Sequence, residues 1–112
     1  MKRSIHHPII QVSTMTDSAD EAATIADTLV RERLAACAQV LGPADSVYWW
    51  KGTVENAREW QCILKTREDL YEKVEARIRA LHSYQLPAII AVPVLGGSAP
   101  YLQWINDEVE AG

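Results

Sequence analysis

The spacing of hydrophobic residues changes repeatedly along this chain, and each change marks an element. Residues 5–14 read as a strand, with Pro8 near its start, where a missing N–H is tolerated. Ser18-Ala19-Asp20-Glu21 has the form of a capping box, Ser18 as N-cap and Glu21 at N3. Behind it Ala22, Ile25, Ala26, Leu29 and Val30 recur at helical spacing, which predicts an amphipathic helix over 19–35. A strand begins at Cys37, is interrupted by Gly42-Pro43, and resumes over 45–50. Lys51-Gly52-Thr53 is turn material, and 55–66 alternates Trp60, Cys62 and Leu64 against polar or smaller neighbours, so the pair forms a hairpin. Thr66 as N-cap with Asp69 at N3 opens a second helix over 67–82, striped by Leu70, Val74, Ile78 and Leu81. The apolar run 88–94 fits a strand buried on both faces. Ser98-Ala99-Pro100 then opens a last helix with Leu102, Ile105 and Val109 on one face and Trp104 beside it.

The resulting order is β-α-β-β-α-β followed by an extra helix. That is the split β-α-β, ferredoxin-like arrangement of the α+β class, a four-stranded antiparallel sheet with two helices on one face. Its other face needs a cover. The hairpin makes the same demand, because Trp49 and Trp50 are adjacent and successive strand side chains point to opposite faces. Helices can shield only one of the two rings. A partner subunit, a ligand or water must meet the other, so Tyr48, Trp49 and Trp50 are candidate assembly residues.

Composition narrows the function. The chain has 112 residues, enough for one domain over 1–112, and is 48% hydrophobic, enough for a core without disulfides or a structural metal. A net charge of -4 and scattered Lys and Arg argue against a nucleic-acid partner. No apolar stretch approaches the roughly 20 residues of a membrane helix, and Met1-Lys2-Arg3-Ser4 is not followed by a signal-peptide core. A cytosolic chain with Cys37 and Cys62 reduced is the expectation. The two cysteines lack C-x-x-C spacing and read as small core residues. His6 and His7 look like a metal pair, but strand neighbours point apart and an exposed pair is the plainer reading. His82 is the best single metal candidate, weighed against a hydrogen-bonded interface histidine. One imidazole is not a site, since a tetrahedral metal centre needs about four donors. No nucleophile elbow, zinc-hydrolase helix or phosphate-binding glycine loop is present, so no enzymatic activity is expected.

Five stretches in order resemble the CutA family of divalent-ion tolerance proteins, over roughly residues 9–109. They are Leu34-Ala35-Ala36-Cys37-Ala38, Val47-Tyr48-Trp49-Trp50-Lys51-Gly52, Ile63-Leu64-Lys65-Thr66, His82-Ser83-Tyr84-Gln85-Leu86-Pro87, and Tyr101-Leu102-Gln103-Trp104-Ile105. The resemblance implies a ferredoxin-like homotrimer whose hairpins pair across subunits and whose sheets face inward. It also implies a role in divalent-metal tolerance, with copper as the possible ion and no reaction. Three positions depart from the family pattern: Ala88 replaces a carboxylate, Ser83 a proline, and Ser13 the first-strand cysteine of some members. Loss of a soft thiolate and a carboxylate weakens the carry-over of metal binding. The likeness of this architecture to PII signalling trimers gives an alternative, a small-molecule sensor with Lys51, Lys65, Arg67 and Tyr84 around an anion cleft between subunits. A third reading is an interaction module on a stable trimer.

Overall fold

The computed structural model describes residues 7–110. Strand β1 (Ile9–Thr16) leads to helix α1 (Ala19–Arg31), then β2 (Cys37–Trp50) and β3 (Thr53–Arg67). A 3-10 turn over Glu68–Leu70 opens α2 (Tyr71–Leu81), which is followed by β4 (Ile89–Pro93) and α3 (Ala99–Glu108). The strands form one sheet in the order β2-β3-β1-β4, every neighbouring pair antiparallel. Strand β3 enters between β1 and β2 and splits the first β-α-β unit, which defines the ferredoxin-like fold expected from the sequence.

Strand alternation sorts the sheet into two faces. Ile10 and Val12 of β1 and Cys62 and Leu64 of β3 point to one face, where they meet Ala22, Ile25 and Leu29 of α1 and Val74 and Ile78 of α2. Each large aliphatic side chain enclosed there contributes about 1.5–3 kcal/mol. On the opposite face, α3 crosses one end of the sheet and contacts β1 and β3. The rest of that face shows Leu41, Ile90 and Val92 to solvent.

Several local expectations change. Helix α1 stops at Arg31 because Arg33 takes a left-handed backbone (φ 63), which turns Leu34 and Ala35 back so that both N–H groups donate to the Leu29 carbonyl. Ser18 caps α1 through the Glu21 N–H (3.0 Å), yet the Glu21 carboxylate accepts from the Ser83 N–H (3.1 Å) rather than closing the capping box. Thr66 is no cap: its hydroxyl is buried and donates to the Leu34 carbonyl (2.7 Å), which ties β3 to the end of α1. Pro8 lies just before β1, and its carbonyl accepts from the Glu68 N–H. Strand β4 is short, and its outward residues are exposed, so it is an edge strand rather than a central one.

Gly42-Pro43 does not interrupt β2 but forms a bulge, so that Leu41 opposes Gln61 while Ala44 opposes Glu59. Gly42 lies against the Trp60 indole; a Cβ there would come within 2.5 Å of Trp60 Cδ1. Beyond the bulge Ala44–Trp50 and Thr53–Glu59 pair only with each other, because β1 ends opposite Trp60. This two-stranded ribbon extends about 20 Å past the sheet. It turns tightly on Lys51 (φ 50) and Gly52 (φ 81), the two left-handed residues of a type I′ hairpin. The molecule measures 58 × 25 × 21 Å as a result.

Candidate functional site

The ribbon register separates the two tryptophans. Trp49 opposes Val54 and shares its face with Val47; it is 73% exposed. Trp50 opposes Thr53, shares its face with Tyr48 and Glu59, and is half-buried. One ring per face is therefore what the structure shows, but neither ring enters the helix-covered core.

Between the Tyr48 and Trp50 face and the loop after α2 lies a cleft of about 520 Å3, with Met15, Glu59, Tyr84 and Leu86 among its walls. Val47 and Trp49 also border it. Glu59 is 94% enclosed, being 6% exposed. The Tyr84 hydroxyl donates to its Oε2 at 2.7 Å. Burial first, and the bond to Glu59 next, push the Tyr84 phenol well above its ordinary range, so it stays a neutral donor. The sequence marks His82 and Tyr84 as site candidates and offers Glu59 as a polar strand residue and an ion-pair partner for the nearby cations, whereas the structure pairs it with Tyr84. The Tyr84 hydroxyl reaches it from the loop after α2.

His82 lies behind this cleft, its side chain without exposed surface. Its Nε2 is 2.8 Å from the Met15 carbonyl, and its Nδ1 accepts from the Tyr84 N–H at 3.1 Å. A carbonyl only accepts, so Nε2 carries the proton, and both ring nitrogens are engaged. Glu21 stands 3.4 Å from Nδ1. The Tyr84 ring packs tilted on the imidazole at 4.9 Å. His82 thus orients the loop that carries Tyr84.

The proposed cation cluster does not assemble within one chain. Lys51 is at the ribbon tip, with Nζ 5.5 Å from the Trp50 ring centre. Lys65 is twelve β3 positions beyond Thr53, about 40 Å away along the strand. It donates to Gln39 at 3.4 Å. Arg67 is buried and already bound by both oxygens of Asp69, each at 2.9 Å. Tyr84 serves a carboxylate instead. The histidine pair also separates: His7 lies 3.6 Å from Asp69, while His6 falls outside the described residues. Cys62 is a core thiol, pushed up to about 11 by burial. Cys37 is not in the core; it faces the other side of the sheet, with Sγ 3.6 Å from the Tyr101 hydroxyl. Among the described residues no three His, Cys, Asp or Glu side chains group as a metal site. A more open hollow between α1 and α2 is lined by Glu32, Arg77, Lys73 and Glu110, whose charges pair with one another.

A ferredoxin-like sheet with a projecting aromatic ribbon defines a small α+β class. The sequence family described as CutA1 divalent ion tolerance protein matches residues 10–108, and the chain belongs to that family. The divalent-cation tolerance protein CutA of Pyrococcus horikoshii is 42% identical over 102 residues, 91% of this chain and 98% of that one. The Archaeoglobus fulgidus protein of the same name is 40% identical over 93 residues, 83% and 90% of the two chains. The crystal structure of CutA1 from Oryza sativa superposes with a TM-score of 0.93 at 33% identity, covering 97% of this chain and all of that one. The chain spans about half the length of the chloroplastic relatives, 56% of the rice protein and 55% of that of Arabidopsis thaliana.

Proposed function

We propose that the chain acts as a non-enzymatic homotrimer in tolerance to divalent cations. The projecting ribbon supports this reading most strongly. An isolated two-stranded hairpin is marginal in water, yet this one holds Val47, Trp49 and Val54 exposed along one face. Contact with other copies, which would also cover Leu41, Ile90 and Val92, supplies the missing burial. Light scattering should return three times the 12.5 kDa chain mass at micromolar concentration, and a stable monomer would end the proposal.

The cation part rests on the family's tolerance name. Within one described chain the donors do not fit a copper ion, because both His82 nitrogens are engaged and Cys37 is isolated from other ligands. We therefore place any bound ion between chains. Copper(II) should raise the melting temperature by mass action, and the rise should survive His82→Ala. A rise abolished by that substitution would show the imidazole leaving its hydrogen bonds for metal, and no rise at all would remove copper binding while leaving the trimer.

We also infer a cytosolic setting with free thiols. Cys37 and Cys62 face opposite sides of the sheet, so no disulfide joins them within a chain. Relatives are named chloroplastic, and one solved relative periplasmic. Cell fractionation decides the compartment.

A further inference from the structure

Two charges on the face that assembly covers have no partner in their own chain. Among the described residues every arginine, and Lys73, stands beside a carboxylate. Lys51 and Lys65 do not. Lys51 is at the ribbon tip, over the Trp50 ring. Lys65 has only the Gln39 amide oxygen, at 3.4 Å. Glu59 is the converse case: it is buried, it accepts from the Tyr84 hydroxyl, and no described Lys, Arg or His pairs with it. Glu59, Gln61, Ile63 and Lys65 are alternate positions of β3 and lie on one face. It is the face of Met15, Cys37 and the exposed Leu41, Ile90 and Val92, opposite the core residues Cys62 and Leu64. Along the strand Glu59 and Lys65 are about 20 Å apart, so they cannot meet within one chain. A homotrimer that covers Leu41, Ile90 and Val92 takes Lys65 and the mouth of the Glu59 cleft out of water as well. An ammonium or a carboxylate enclosed there without a counter-charge is costly. Lys51 keeps the Trp50 ring in either state.

We propose that in the homotrimer Lys65 of each copy enters the cleft of the next copy and pairs with its Glu59. This rests on the trimer reading above and names a contact that sets its register. The contact is heterologous: each copy offers Glu59 at the ribbon end of the face and Lys65 at the other end, so three such pairs close a ring. The cleft suits a lysine. Met15, Leu86 and the Tyr48 and Trp50 rings line it, and such walls take a methylene stem while aromatic faces attract the ammonium. Tyr84 occupies Oε2 of Glu59, and among the described residues nothing bonds Oε1, which is left for the incoming group. A copy docked in another register would bury both charges unpaired, so the pair selects one arrangement against the others.

Dissociation of the full chain on dilution, read by light scattering at a fixed sub-denaturing urea concentration, tests this. Glu59→Gln keeps an acceptor for Tyr84, and Lys65→Met keeps an apolar stem. Each should raise the midpoint concentration of dissociation roughly tenfold or more. The double variant should dissociate no more readily than either single one, because it strands no charge. A Glu59 that stays unpaired in the trimer predicts the opposite sign, since glutamine would then be neutral or stabilising. Mixing the two single variants separates contact between copies from an effect within one. A mixed ring contains an interface that sets an intact Glu59 against an intact Lys65, so the mixture should dissociate at a lower concentration than either variant alone. Additive effects of the two substitutions, a mixture no more stable than its components, or coupling of Glu59→Gln to Lys51→Met in place of Lys65→Met overturns the proposal. A monomeric wild type overturns the trimer reading and this one with it, whereas a trimer with uncoupled charges overturns this one alone.

Discussion

The Arg67 guanidinium is nearly enclosed, and Asp69 binds two of its N–H groups. That hydrogen bond, more than the charge alone, holds the Asp69 carboxyl below its ordinary value. A depressed native pKa contributes stability that is fully present above the unfolded value, about pH 4, and is lost as pH falls through the native one. Asp69→Asn should therefore cost about 1–3 kcal/mol at neutral pH. The gap to wild type should close in urea melts run below about pH 3. His82 is held by hydrogen bonds at both ring nitrogens. His82→Ala would strand the Met15 carbonyl and the Tyr84 N–H and should also cost about 1–3 kcal/mol in thermal or urea unfolding. Its partner Met15 lies 67 residues away in sequence. Sequence reasoning could mark His82 as chemically interesting, but it could not see that both nitrogens are used. The same limit hid the contact between Glu59 and Tyr84, which depends on how a distant loop closes over the strand.

At the scale of elements, most of the architecture was readable because it rests on periodicity. The Ala22–Ile25–Leu29 stripe of α1 and the Cys62–Leu64 alternation of β3 are local patterns, and both elements formed where those patterns lie. Boundaries shifted where backbone or distant contacts decide them. Arg33 ends α1 through a left-handed turn, and Thr66 serves Leu34 instead of capping α2. Gly42-Pro43 looked like a break but became a bulge, since one extra residue can be absorbed while pairing resumes. Glycine is required there by the close approach of Trp60. Gly42→Ala should displace that indole and lower stability by about 1–3 kcal/mol, visible as a melting shift together with altered tryptophan fluorescence. An unchanged melt would mean that Trp60 finds room to move at no cost.

At the scale of the molecule, the projecting ribbon carries the assembly proposal. Trp49, on the Val47 and Val54 face, is exposed beyond what one chain can cover, and Trp49→Ala should lower the light-scattering mass or its persistence on dilution. A mass unchanged in Trp49→Ala would contradict the assembly reading. The projecting ribbon also bears on transport through solvent. A compact chain of this length has a radius of gyration near 13 Å, whereas this one reaches 15.2 Å. A lone chain would therefore drag more than a sphere of its mass and leave a sizing column early, imitating a larger particle. Three chains that lay their ribbons on one another would lose much of that drag. The frictional ratio from sedimentation velocity should accordingly fall on assembly, whereas ribbons that splayed outward would keep it high.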